Sequence, residues 1–99
     1  MSELINGIKK VDPLIFHPKR LMIMSLLIGI GPMTQGQLRK KCNLTWGSIT
    51  THLERLAKEQ YIYQRDVITR KGPRVLVDVT LKGVDSYKKT MANFQDFLK

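Results

Sequence analysis

Residues 34–60 read TQGQLRKKCNLTWGSITTHLERLAKEQ, and their spacing predicts two short helices separated by a tight polar turn. Thr34 and Gln37 stand in the T-x-x-Q order of a capping box, in which hydroxyl and amide each satisfy a backbone N–H at the helix start. The helix opened there is expected over about 35–42, with Leu38 as its inward residue. Asn43-Leu44 makes the turn, and Thr45 caps a second helix expected to reach about Gln60.

At about 100° per residue, Ile49, Leu53 and Leu56 of the second helix form one apolar stripe, with Trp46 and Ala57 beside it. This position favours packing for Trp46, with an aromatic contact at a ligand surface as its other role. Gly47, Ser48, Thr51, Arg55 and Lys58 fall on the opposite side, and His52 lies at the boundary, where a local hydrogen bond is expected. Gly, Ser and Thr are poor helix formers, so the outward face is not chosen for helix stability. Small side chains permit close approach to a groove, and basic residues further along suit an anionic wall. That is the character a helix needs to lie in a DNA major groove.

Upstream, a helix is expected from His17 or Pro18 to about Ile30, with proline in the first turn. Leu21, Met22, Ile23, Met24, Leu26, Leu27 and Ile30 make it apolar almost all round, as a central core helix should be. Met22, Met24 and Met33 read as core filling, and His17 as a helix-start residue. Residues 2–11 can form a short helix with Leu4, Ile8 and Val11 on one face, broken by Asp12-Pro13.

Downstream, Tyr61–Thr69 and Arg74–Thr80 are rich in Val, Ile and Thr and read as strands, joined by the basic turn Arg70-Lys71-Gly72-Pro73. A last helix is expected over 81–98, with Leu81, Val84, Tyr87, Met91, Phe94 and Leu98 as its apolar stripe. That stripe is longer than so small a core needs. Such a strip either marks an interface or packs against residues 2–11 of its own chain, and the interface is the favoured expectation.

The chain has 99 residues, 42% of them hydrophobic, which suits one domain spanning 1–99. Lys and Arg number 17 against 8 Asp and Glu, a formal net charge of +9, and the excess is spread along the chain. A folded basic surface attracts polyanions, nucleic acid first and anionic membrane second. The apolar run Leu21–Ile30 is too short to cross a bilayer, which takes roughly twenty residues, so no membrane association is expected. No signal peptide is legible, and a single cysteine forms no internal disulfide, so the expected compartment is the cytoplasm.

No Ser/His/Asp set, phosphate-binding Gly-rich loop or apolar carboxylate pair is visible, so neither enzyme activity nor a cofactor is expected. Cys42, His17 and His52 are far apart in sequence, and no metal site is expected from them. Cys42 reads as a small buried hydrophobe.

The order helix, helix, helix, strand, basic turn, strand, helix resembles the winged helix-turn-helix regulators of the MarR and ArsR type. HPKRLMIMSLL (17–27) looks like the helix that opens their winged domain. LTWGSITTHLERLAKEQYI (44–62) looks like their recognition helix, and RKGPRVLVDVTLKG (70–83) like the wing and the threonine-led entry to the closing helix. The resemblance covers about residues 14–98. It implies an α+β, mostly α fold: a winged helix-turn-helix with a two-stranded wing, flanked by N- and C-terminal dimerisation helices (1–12 and 81–99).

By that resemblance Trp46, Gly47, Ser48, Thr50, Thr51, His52 and Arg55 would occupy the major groove or its edges, with Lys58 further along the same helix. Arg70, Lys71 and Arg74 would reach backbone or minor groove. Arg39, Lys40 and Lys41 read either as solvated surface or as a clamp on the adjacent phosphate strand, and Arg55 suits guanine O6/N7. A two-fold dimer through Leu4, Ile8, Tyr87, Met91, Phe94 and Leu98 would set two recognition helices about one DNA turn, roughly 34 Å, apart. The expected function is sequence-specific binding of double-stranded DNA by a homodimeric transcriptional regulator. A non-specific architectural DNA binder and a winged-helix module within a larger assembly are the alternatives. The sequence names no small-molecule effector.

Overall fold

His17, in extended conformation, opens the first helix, α1 (Pro18–Gly29), by accepting the Lys19 backbone N–H on its imidazole, with proline in the first turn. The structure is a computed structural model and describes residues 11–99. The short helix expected over 2–11, with Leu4 and Ile8, lies outside the described residues apart from Val11.

Gly31, at φ 118, turns the chain out of α1 into a two-residue strand, β1 (Met33–Thr34). Thr34 then caps α2 (Gln35–Lys41) with both halves of the capping box formed. Asn43, in the left-handed region at φ 53, makes the turn. Thr45 caps α3 (Trp46–Lys58) by accepting the Ser48 N–H. α3 stops short of the expected Gln60, because Gln60 itself sits at φ 61, where a helix cannot continue.

The two long strands, β2 (Ile62–Thr69) and β3 (Gly72–Val79), pair antiparallel in register from Ile62 with Val79 to Thr69 with Gly72. The turn is therefore tighter than expected. Only Arg70 and Lys71 lie outside the strands, while Gly72, at φ 104, and Pro73 belong to β3. Beyond the expected two-stranded wing, β1 adds a third strand to β3, Met33 opposite Val77, in the order β1-β3-β2. Two residues carry no alternation that could have announced it.

The closing helix, α4 (Leu81–Leu98), is capped by Thr80 as expected, but it is turned differently from its apolar stripe. Leu81 is 90% exposed, whereas Gly83 and Thr90 are buried. The deciding contact is the absence of a side chain at Gly83, which lets the first turn of α4 sit directly on the Tyr61 backbone. Tyr87 and Phe94 face their own chain: the Tyr87 hydroxyl lies 2.7 Å from Ser25 Oγ, and the Phe94 ring 4.7 Å from that of Phe16.

The core gathers Ile23, Met24 and Leu27 of α1, Leu38 and Cys42, Ile49, Leu53 and Leu56 of α3, and Ile62 and Val77 of the sheet. Met24 and Met33 are buried as expected, but Met22 is exposed, so α1 is not apolar-buried all round. The stripe Ile49, Leu53, Leu56 is fully inside, which fixes the outward direction of α3. No described helix is long and apolar enough to cross a membrane.

Candidate nucleic-acid interface

Gly47, Thr50, Thr51, Arg55 and Lys58 are exposed on α3, and Ser48 is half-buried. The Thr50 hydroxyl donates to the Trp46 carbonyl at 2.8 Å and the Thr51 hydroxyl to the Gly47 carbonyl at 3.0 Å. Each hydroxyl thus spends its donor on the helix backbone and keeps its acceptor lone pairs, so these two threonines offer small, weakly polar contacts, while Arg55 and Lys58 supply the strong donors further along.

A cleft of about 810 Å³ runs from the start of α3 across α2 to the wing. Arg39 and Lys40 stand on one bank, Arg70, Lys71 and Arg74 on the other, and Trp46 at the junction; none of the lining residues is acidic. Five cations around one open cleft, with no carboxylate among them, favour an extended anion.

Trp46 is not packed beside Ile49 and Leu53. It is 55% exposed, and the edge of its ring lies beside Gly36 of α2, where an added Cβ would stand 3.5 Å from Cη2. The Arg39 guanidinium carbon lies 4.9 Å from the ring centroid, within cation–π range. Arg39 also donates to the Leu44 carbonyl at 3.3 Å, and its Nε is buried without a hydrogen-bond partner. Trp46 and Leu44 therefore hold the Arg39 fork in one orientation at the cleft edge. On the wing, Thr69 Oγ1 donates to the Gly72 carbonyl (2.7 Å) and accepts the Lys71 N–H (3.2 Å), which ties the tip together.

Arg55 and Lys58 lie outside this cleft and line a shallower cavity with Asp12, Leu14, Glu59 and Tyr61. His52 makes no local hydrogen bond. Its Nδ1 lies 3.2 Å from Arg20 Nη1, on α1, and its ring centroid 4.9 Å from that of His17. Sequence separation hid this pairing of two histidines. No group of three or more metal-ligating side chains occurs among the described residues. Burial pushes the Cys42 thiol up, opposed by the nearby Lys19 cation, and Cys42 packs as a small hydrophobe.

The residues that the sequence reading passed over are Thr34, Gln35 and Gln37, which line the α2 bank. Gln35 is held there by a 2.6 Å hydrogen bond to Gln64 of β2. Their signal was present, since two of the three form the capping box, but a capping role masked their position on the cleft.

A sequence family described as winged helix DNA-binding domain matches residues 19–98. The chain belongs to that family. Among solved structures, this winged-helix domain is similar to a transcriptional regulator homologue from Pyrococcus horikoshii, with 26% identity and a TM-score of 0.85, covering 99% of this chain and 95% of that one. It also resembles in fold a transcriptional regulator from Thermotoga maritima (19% identity, TM-score 0.73, covering 98% of this chain and 68% of that one). The YusO protein from Bacillus subtilis is similar at 14% identity and a TM-score of 0.76, with 98% and 66% covered. The winged-helix domain thus spans nearly the whole Pyrococcus protein but about two thirds of the other two. No curated protein matches it in sequence.

Proposed function

We propose that this winged-helix protein is a cytoplasmic transcriptional regulator that binds double-stranded DNA as a homodimer. α3 lies in the major groove, where Gly47, Ser48, Thr50 and Thr51 approach the bases and Arg55 reads a guanine edge. Arg39 and Lys40 grip the phosphate strand on one side of the groove. Arg70, Lys71 and Arg74 follow the backbone or minor groove on the other, and Trp46 steadies Arg39. The observation that carries this reading is the acid-free basic cleft beside a helix whose outer face is small and polar in its first turns and charged beyond them, at Glu54, Arg55 and Lys58.

The dimer rests on the exposed apolar residues Phe16, Met22 and Leu98 on and beside α1 and α4, together with half-buried Met91. Tyr87 and Phe94 contribute from below by bracing α4 against its own chain. The likeness to transcriptional regulators from Pyrococcus, Thermotoga and elsewhere supports the regulatory role.

The test is selection of random duplex DNA on the purified protein at near-physiological salt, followed by sequencing of the retained fraction. An inverted repeat with half-sites about one turn apart supports a dimeric reader of sequence. Retention without a motif supports a non-specific architectural binder, and no retention refutes duplex DNA as the partner.

A further inference from the structure

Two imidazoles and a guanidinium join the edge of α3 to the start of α1, and the direction of their hydrogen bonds is dictated by chemistry. A backbone N–H can only donate, so the 3.2 Å bond from Lys19 N to His17 Nδ1 requires a lone pair on that nitrogen. A guanidinium has no acceptor, so Arg20 Nη1, 3.2 Å from His52 Nδ1, requires a lone pair there too. Both rings must therefore be neutral, each with its proton on Nε2. A proton on either Nδ1 would set donor against donor.

Arg20 cannot swing away to relieve such a clash. It is 6% exposed, and its Nε donates to the Leu14 carbonyl. The surroundings add positive charge. Lys19 and Arg20 face the rings from α1 and Arg55 from α3, while Lys19 Nζ is held at 2.8 Å on the Cys42 carbonyl after α2. The carboxylate beside Arg20, Asp12, is engaged by the Tyr61 hydroxyl at 2.6 Å and by Leu14 N at 2.9 Å.

We infer that His17 and His52, in their neutral forms, are positioning residues for the DNA-reading helix. With Arg20 they latch the edge of α3 to α1, and the latch opens when the rings take up protons. Burial first holds both rings below the usual histidine range; the Arg20 and Arg55 cations add to it for His17, and the His17 ring, then Arg20, Arg55 and Lys19, for His52. A lowered folded pKa fixes the sign. The stability supplied by the latch is complete above about pH 6.5 and is lost as pH falls through the lower folded values. Non-specific electrostatics predicts the reverse for DNA affinity, since protonated histidines add cations to a polyanion binder. The two effects are therefore separable by sign.

The inference rests on DNA binding as the proposed function, and the experiment distinguishes the failure of one from the failure of the other. Imidazole ¹⁵N chemical shifts of the intact protein are followed from about pH 8 to about pH 5, with binding of a mixed-sequence duplex of about 20 base pairs measured in parallel. The expected result is the Nε2–H form of both rings at neutral pH, and an affinity that falls about five- to tenfold on acidification while the fold persists. The double variant His17→Asn, His52→Asn keeps a carbonyl acceptor near each Nδ1 but cannot titrate, so its affinity should stay level. An Nδ1–H form at neutral pH overturns the latch. So does an affinity that rises on acidification, or a double variant that titrates like the native chain. Absence of duplex binding at every pH refutes the proposed function, and the tautomers then still decide the latch.

Discussion

Replacing Gly83 by alanine should destabilise the protein, although alanine is the better helix former. A Cβ at this position would stand 2.1 Å from the Tyr61 carbonyl oxygen, 2.9 Å from its carbonyl carbon and 3.0 Å from its Cα. These are backbone atoms, so no rotamer change relieves the clash. Their place is fixed by the Thr80 N–H on the Tyr61 carbonyl (3.1 Å) and the Thr80 hydroxyl on the Gln60 carbonyl (2.6 Å). Carbon–oxygen contacts settle at about 3.3–3.6 Å, so the start of α4 must move by roughly 1 Å. Overpacking costs about 1–3 kcal/mol, and the rigidity of the neighbours places this case at the upper end. Better helix propensity returns about 1 kcal/mol. The net loss is about 2 kcal/mol, a fall in melting temperature of about 8–16 °C for a domain of this size. Thermal unfolding followed by circular dichroism measures it. Gly47→Ala is the control, because no atom lies within 4 Å of the Cβ it would gain. It should stabilise α3 by up to about 1 kcal/mol while weakening duplex binding at the groove face. A Gly83→Ala protein that melts at or above the native temperature would refute the seating of α4 on Tyr61.

Other substitutions separate the core from the two parts of the interface. Leu53→Ala, at a fully buried position, should cost roughly 2–5 kcal/mol in urea unfolding; a native-like midpoint would mean that α3 is rotated. Lys71→Ala should weaken binding to all duplexes alike and lower the salt slope by about 0.9, and an unchanged slope would remove the wing tip from the contacts. Arg55→Ala should lose about 1–3 kcal/mol with relaxed preference at one base pair, and equal binding to selected and random DNA would end its role as a reader.

The elements legible from the chain were those set by local chemistry. Thr34, Thr45 and Thr80 cap helices where they were expected to, because a threonine side chain satisfies orphan N–H groups within its own turn. The burial of Ile49, Leu53 and Leu56 followed from period alone. Period failed for α4, where the fit of Gly83 to Tyr61 outweighed the larger apolar residues and turned Leu81 to solvent. It failed for Trp46 as well, whose ring lies against Gly36 and Arg39 of another helix.

From the sequence by itself came the helix-turn-helix, the wing, the outward face of α3 and the sign of the surface charge. Each depends on residues close in the chain or on composition. Tertiary structure alone decided that Arg39, Lys40, Arg70, Lys71 and Arg74 share one cleft, and that β1 joins the wing sheet. It also decided that His17 and His52 meet across Arg20. The physical reason is that these arrangements require packing between elements distant in sequence. Their partners are chosen by shape, by hydrogen-bond direction and by the exclusion of water, none of which has a period along the chain.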